Sequence, residues 1–161
     1  MKRDNVMRAL FTLFGKCKNV NAQRVKACDI YKTNKEYKII TMYKTDTGVY
    51  HLDEPVFILP ISSSKEELLN VIQKSISASR FINNPSKSSL KTFLHIIKEK
   101  NLNSFYKNSI CCSIYVEGSD ATIEPQNYSV KYKGLIPDKA RTIILKNYKI
   151  EEVIDEVVRI L

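Results

Sequence analysis

Hydrophobic positions along this chain change period several times, and the changes locate its elements. Residues 56–59 form an uninterrupted apolar run stopped by Pro60, the pattern of a short buried strand. Ser64 followed three residues later by Glu67 makes a capping box, in which hydroxyl and carboxylate each satisfy a backbone N–H that the first helical turn leaves open. Leu68, Leu69, Ile72 and Ile76 then recur at helical spacing, so one face of this helix should pack on the strand before it. The end of the chain repeats the scheme, with residues 141–146 as strand and Ile150, Val153, Ile154, Val157, Val158 and Leu161 as apolar stripe. Residues 66–76 and 151–161 align without a gap, sharing an initial acidic pair, an amide or acid in fifth place and Lys or Arg in ninth. Either two strand-helix units frame the protein, or two amphipathic helices with acids at the positive end of the dipole simply look alike.

Between these units the pattern is mostly that of hairpins. Val6, Met7, Leu10, Phe11 and Phe14 mark a first helix ended by Gly15, and a basic stretch follows over residues 16–26. Residues 24–32 and 36–44 read as strands, and a turn over 45–48 leads into a returning strand at 49–52. Pro85, in a polar cluster at 83–88, prevents the preceding helix from running on. A new helix should start near Ser88 or Ser89, with Leu90, Phe93, Leu94 and Ile97 inward and Lys91, His95 and Lys98 outward. Residues 109–117 alternate as a strand, with Ile110, Cys112, Ile114 and Val116 on one face and Cys111, Ser113 and Tyr115 on the other. A turn over 118–120 leads to a partner strand at 121–124, which Pro125 either interrupts or confines to a sheet edge. Residues 127–133 form one more strand before Gly134. The expected fold is α+β: a single domain spanning 1–161, with a mainly antiparallel sheet built from hairpins and helices packed against it.

Composition narrows the function classes. With 161 residues, 43% hydrophobic and 27% charged, the chain matches a globular domain able to bury a core. No run approaches the roughly 18 apolar residues of a membrane span, and Arg8 and Thr12 interrupt the N-terminal apolar positions, so the reading is a cytoplasmic protein. Cys17, Cys28, Cys111 and Cys112 contain no C-x-x-C pair, and His51 and His95 stand apart from them. Buried free thiols therefore fit better than a zinc site. Of the net charge of +9, residues 1–38 carry +7, from ten Lys or Arg against three acids. That asymmetry fits an acidic partner, nucleic acid or protein, and equally a solvated basic face.

Candidate chemistry is sparse. The four glycines lie too far apart for a phosphate-cradling loop. Glu66 with Glu67, and Glu151 with Glu152, sit in first helical turns, where the dipole explains them. His51 beside Asp53 and Glu54 is a weak acid–base candidate, and His95 reads as a solvated helix residue. Tyr128, Lys131, Tyr132 and Lys133 interleave aromatic and basic residues as a nucleic-acid surface would, but lysines guarding an edge strand explain them as well. Such an edge could also receive a strand from another protein.

Residues 57–60 (FILP), 66–80 ending in Ser79-Arg80, the strand region 108–125 and the closing 143–161 together resemble the immunity proteins of bacterial contact-dependent growth inhibition, the CdiI family. The resemblance covers about residues 54–161. It implies a cytoplasmic, non-enzymatic antitoxin without cofactors, which forms a heterodimer with the C-terminal toxin domain of a cognate CdiA effector, in many cases a nuclease. The matching positions belong to the scaffold, so no binding residue carries over from it. The residues themselves nominate Lys16, Lys18, Arg24 and Lys26 for electrostatic steering, Tyr43 and Tyr50 on the first hairpin, and Tyr128, Lys131 and Tyr132 on the expected edge. The alternative is a small basic nucleic-acid-binding protein, with the N-terminal Lys and Arg on phosphate.

Overall fold

Alternating β-branched and aromatic residues assemble one eight-stranded, open, mainly antiparallel sheet in the computed structural model, which describes residues 25–82 and 89–161. The expected first helix, with Cys17, Lys16, Lys18 and Arg24, lies outside the described residues. The long strands are β1 (Val25–Lys32), β2 (Glu36–Thr45) and β3 (Tyr50–Pro60). After α1 (Lys65–Ala78), the two-residue β4 (Phe81–Ile82) runs parallel to β2. Two short helices, α2 (Leu90–Ile96) and α3 (Leu102–Lys107), precede β5 (Ile110–Glu117), β6 (Asp120–Ser129) and β7 (Gly134–Pro137). The chain closes with β8 (Ile143–Leu145) and α4 (Ile150–Ile160). Strand order is β3-β2-β1-β5-β6-β7, with β8 pairing β6.

The period-two alternation decides what each sheet face meets. Cys28, Ile30, Ile39, Cys112, Ile114 and Ile123 form the first face and pack against Leu68, Ile72 and Ile76 of α1 and Val153, Ile154 and Val157 of α4. Each such fully buried aliphatic side chain contributes about 1.5–3 kcal/mol. Tyr31, Ile40 and Cys111 face the other way, beneath Phe105 and Tyr106 of α3 and Ile97 after α2. Cys111 and Cys112 thus enter separate cores, as adjacent strand residues must.

Several expectations change in detail. Residues 49–52 and 56–59 are halves of one strand, β3: Ile40 pairs Val56 but Thr41 pairs Asp53, leaving Glu54 and Pro55 as a bulge whose Pro55 carbonyl accepts from Thr41 Oγ1 at 2.8 Å. Pro60 ends that strand, and the Ser64–Glu67 capping box forms as expected. Pro125 does not break β6. It pairs Cys112 on one side, and on the other it falls between the β8 pairings at Ala121–Ile123 and the β7 pairings from Gln126 onward, where its carbonyl accepts from Asp138 N–H. A proline fits there because no neighbouring strand requires its missing donor. Residues 127–133 are not a strand: β6 stops at Ser129, residues 130–133 turn, and Gly134 begins β7. Leu90 was expected inward, yet as the first residue of α2 it is 41% exposed. The helix α3 was not anticipated, because six residues are too few for a periodicity to show.

The two strand-helix units approach one face from opposite sides of the sheet. β3 supplies eleven residues beside β2, whereas β8 supplies three beside β6. Their helices meet on the first face, where Lys65 of α1 pairs with Asp155 of α4. Both helices cap the same sheet face.

Ser79, just past α1, has a structural role that its sequence context conceals. Its buried hydroxyl accepts from Ala27 N–H at 2.8 Å and donates to Met42 C=O, and those two residues are register partners in β1 and β2. Ser79→Ala would leave both backbone groups buried without a partner. The expected loss is about 1–3 kcal/mol in chemical denaturation, and an unchanged midpoint would show that the strands reclose on themselves.

Candidate functional site

On the second sheet face, apolar packing gives way to polar groups near the centre. Asp29 accepts from Tyr31 Oη at 3.0 Å and from Ser113 Oγ at 2.6 Å. Gln126 Nε2 donates to Ser113 Oγ at 3.0 Å and to Glu124 Oε1 at 3.3 Å, and Lys139 pairs with the Glu124 carboxylate. A hydrogen-bonded row thus runs from the middle of the sheet to an exposed lysine. Burial pushes the Asp29 carboxyl up to about 6 against the opposing bonds from Ser113 and Tyr31, and the charge of Glu124 adds to the rise. Burial also raises the thiols of Cys28, Cys111 and Cys112, so none of these three free cysteines supplies a thiolate.

A second cluster lies at the C-terminal end of α1. Tyr43 is buried with its ring stacked on His51, centroids 5.8 Å apart and planes 15° off parallel. Burial and the Asp53 charge push the Tyr43 phenol up, opposed by Arg80. Burial lowers His51, offset in part by Asp53, so the imidazole favours its neutral form. Lys26 Nζ donates to the Ser77 carbonyl at 3.3 Å, a cation at the negative end of the helix dipole. Arg80, exposed just after α1, is not among the nominated residues; only its place in the Ser79-Arg80 pair singles it out. Its own carbonyl accepts from Lys44 N–H at 3.1 Å.

The nominated residues do not converge on one surface. Lys26 and Tyr43 belong to the α1 end of the first face. Tyr50, paired with Lys44 in β2, projects from the opposite face, where it meets Tyr115 edge-on at 5.3 Å and Lys44 Nζ lies 5.6 Å from its ring centre. Tyr128, Lys131 and Tyr132 do come together, at the β6–β7 hairpin. Tyr128 packs against the second core and donates to Asn103 Oδ1 at 2.6 Å, while Lys131 Nζ sits 5.2 Å from the Tyr132 ring centre in the turn. His95 is exposed on α2, as expected of a solvated residue.

Among the described residues, no group of three or more His, Cys, Asp or Glu is placed to hold a metal ion. A cavity of about 180 Å³ lined by Ile110, Cys111, Gln126, Tyr128 and Arg141, among others, is smaller than the roughly 300–1,000 Å³ of small-molecule sites. No helix among the described residues is long and apolar enough to cross a membrane.

These elements define a class, an open antiparallel α+β sheet with helices on both faces, and solved structures share it. A protein of unknown function from Neisseria meningitidis superposes with a TM-score of 0.66 at 17% identity, over 89% of this chain and 98% of that one. A chain of the CdiA-CT/CdiI toxin and immunity complex from Yersinia pseudotuberculosis superposes with a TM-score of 0.63 at 13% identity, over 84% of this chain and 95% of that one. At such identities the likeness is one of fold. No protein-family model and no curated protein sequence matches the chain.

Proposed function

We propose that this chain is an immunity protein that binds the C-terminal toxin domain of a cognate CdiA effector in the cytoplasm and neutralises it by stoichiometric occlusion, without catalysis of its own. The observation that carries this reading is the fold shared with a chain of a toxin and immunity complex over nearly its whole length. The sequence resemblance over residues 54–161 supports the immunity side of such a pair. The toxin is a nuclease in this reading, and the net charge of +9 favours contact through an acidic part of its surface.

Co-expression in bacteria with the toxin domain of the effector encoded immediately upstream tests the proposal. Survival, with recovery of a one-to-one complex, is the expected outcome. Death despite abundant soluble protein would overturn it. DNA or RNA binding by the free chain, with a steep negative salt slope, would then favour the nucleic-acid reading.

A further inference from the structure

Resting on the immunity reading, we infer that the tip of the β6–β7 hairpin is a docking knob: Val130 and Tyr132 enter an apolar socket on the toxin domain whose rim is acidic and faces Lys131 and Lys133. Val130 is 80% exposed and Tyr132 45% exposed, two large apolar side chains in one four-residue turn. Isolated exposed apolar residues are commonplace, but here exposure coincides with a fixed presentation. Ser129 pairs Gly134 across the base of the turn, Tyr132 N–H donates to Ser129 Oγ at 3.3 Å, and Lys131 lies against the Tyr132 ring. Tyr128 anchors the hairpin stem to α3 through Asn103. Lys133 has φ +51°, a left-handed conformation in which a lysine is less at ease than a glycine. A tip held in this way loses little conformational entropy when it docks.

Charge identifies the partner surface. Elsewhere around β6, β7 and β8, Glu124 is engaged by Lys139, Asp138 by Arg141 and Asp120 by Lys146. Lys131 and Lys133 have no carboxylate partner among the described residues. The tip therefore presents apolar surface beside two lysines that no described carboxylate pairs, which an acidic rim complements. A phosphate backbone would use the lysines but gain nothing from Val130, so a protein socket fits the whole tip better.

The test measures binding kinetics of the full chain against the purified toxin domain of the upstream effector, at low and high salt. The double variant Val130→Asp/Tyr132→Ala should weaken affinity about tenfold or more, mainly through faster dissociation. Lys131→Glu/Lys133→Glu should slow association at low salt far more than at high salt. Lys91→Glu, an exposed reversal on α2, should leave both rates near wild type. Because the tip side chains are exposed, thermal midpoints of all variants should match wild type, and Val130→Ser serves if the double variant does not fold. The proposal is overturned if the tip variants bind within about twofold of wild type, or if Lys91→Glu slows association as much as the tip reversal. Wild-type chain that fails to bind the toxin domain removes the immunity reading itself, a result distinct from a tip that proves indifferent. Tip variants that lose DNA binding while keeping toxin binding would also overturn it.

Discussion

Replacing Lys38 with alanine is expected to lower stability by about 3–5 kcal/mol, the range for removing one partner of a buried charge cluster. Lys38 lies near the start of β2 with none of its side chain exposed, yet its Nζ is fully engaged. It donates to the Ile97 carbonyl at 2.6 Å and reaches Glu99 at 2.6 Å and Glu36 at 3.0 Å, with the Phe105 ring centre 5.4 Å away. Alanine would strand two carboxylates and the carbonyl just past α2. Because Glu36 and Glu99 keep 32% and 28% exposure, partial hydration places the loss toward the lower end of that range. Lys38→Met should cost less, since it keeps an unbranched apolar side chain in the buried position while removing only the ammonium. Urea denaturation at neutral pH checks this; a loss below about 1 kcal/mol for alanine would show that water replaces the ammonium without penalty.

Asp29 should make stability depend on pH in the direction opposite to a salt-bridged carboxylate. Its folded value near 6 lies above the ordinary 3.8, so between these values the folded chain holds a proton that the unfolded chain has released. Stability contributed by the protonated form is full below about pH 4, falls as pH rises through about 6, and stays lower beyond. The displacement corresponds to about 3 kcal/mol. Asp29→Asn abolishes it, so the variant should gain on wild type as pH rises from about 4 to about 6 and keep a constant lead above. Comparison with the variant is needed because His51, lowered by burial, slopes the other way. The carboxylates of Glu67, Asp120 and Asp138, each held below the usual range by hydrogen bonds, lose their contribution only in stronger acid. Denaturation midpoints that run parallel for the two proteins across that window would refute the assignment.

The candidate site was legible only in part. Tyr128, Lys131 and Tyr132 could be nominated together because they are close in sequence, and the hairpin keeps them close in space. Tyr43 and Tyr50 are nominated for their place on the first hairpin, and only the register, which pairs them with His51 and Lys44, shows that they lie on opposite faces. Asp29, Lys38 and Glu124 look in sequence like solvated strand residues. Their burial depends on long-range partners: Ser113 lies 84 residues from Asp29, and Glu99 lies 61 from Lys38. No local pattern signals such pairs.

By itself the sequence determined the elements whose causes are local. Alternation produced the strands and sent Cys111 and Cys112 to separate cores, the Ser64–Glu67 box started α1, and the α+β class followed from hairpins mixed with amphipathic helices. Tertiary structure alone decided what lies side by side. It joined two apparent strands into β3 across a bulge, let Pro125 stay within β6 by leaving its missing donor opposite no strand, and brought both framing helices to one face. The physical reason is that propensity and periodicity act within a turn or a few residues. Strand order, register and the pairing of buried charges are instead settled by which arrangement buries the apolar faces and satisfies every buried polar group at once.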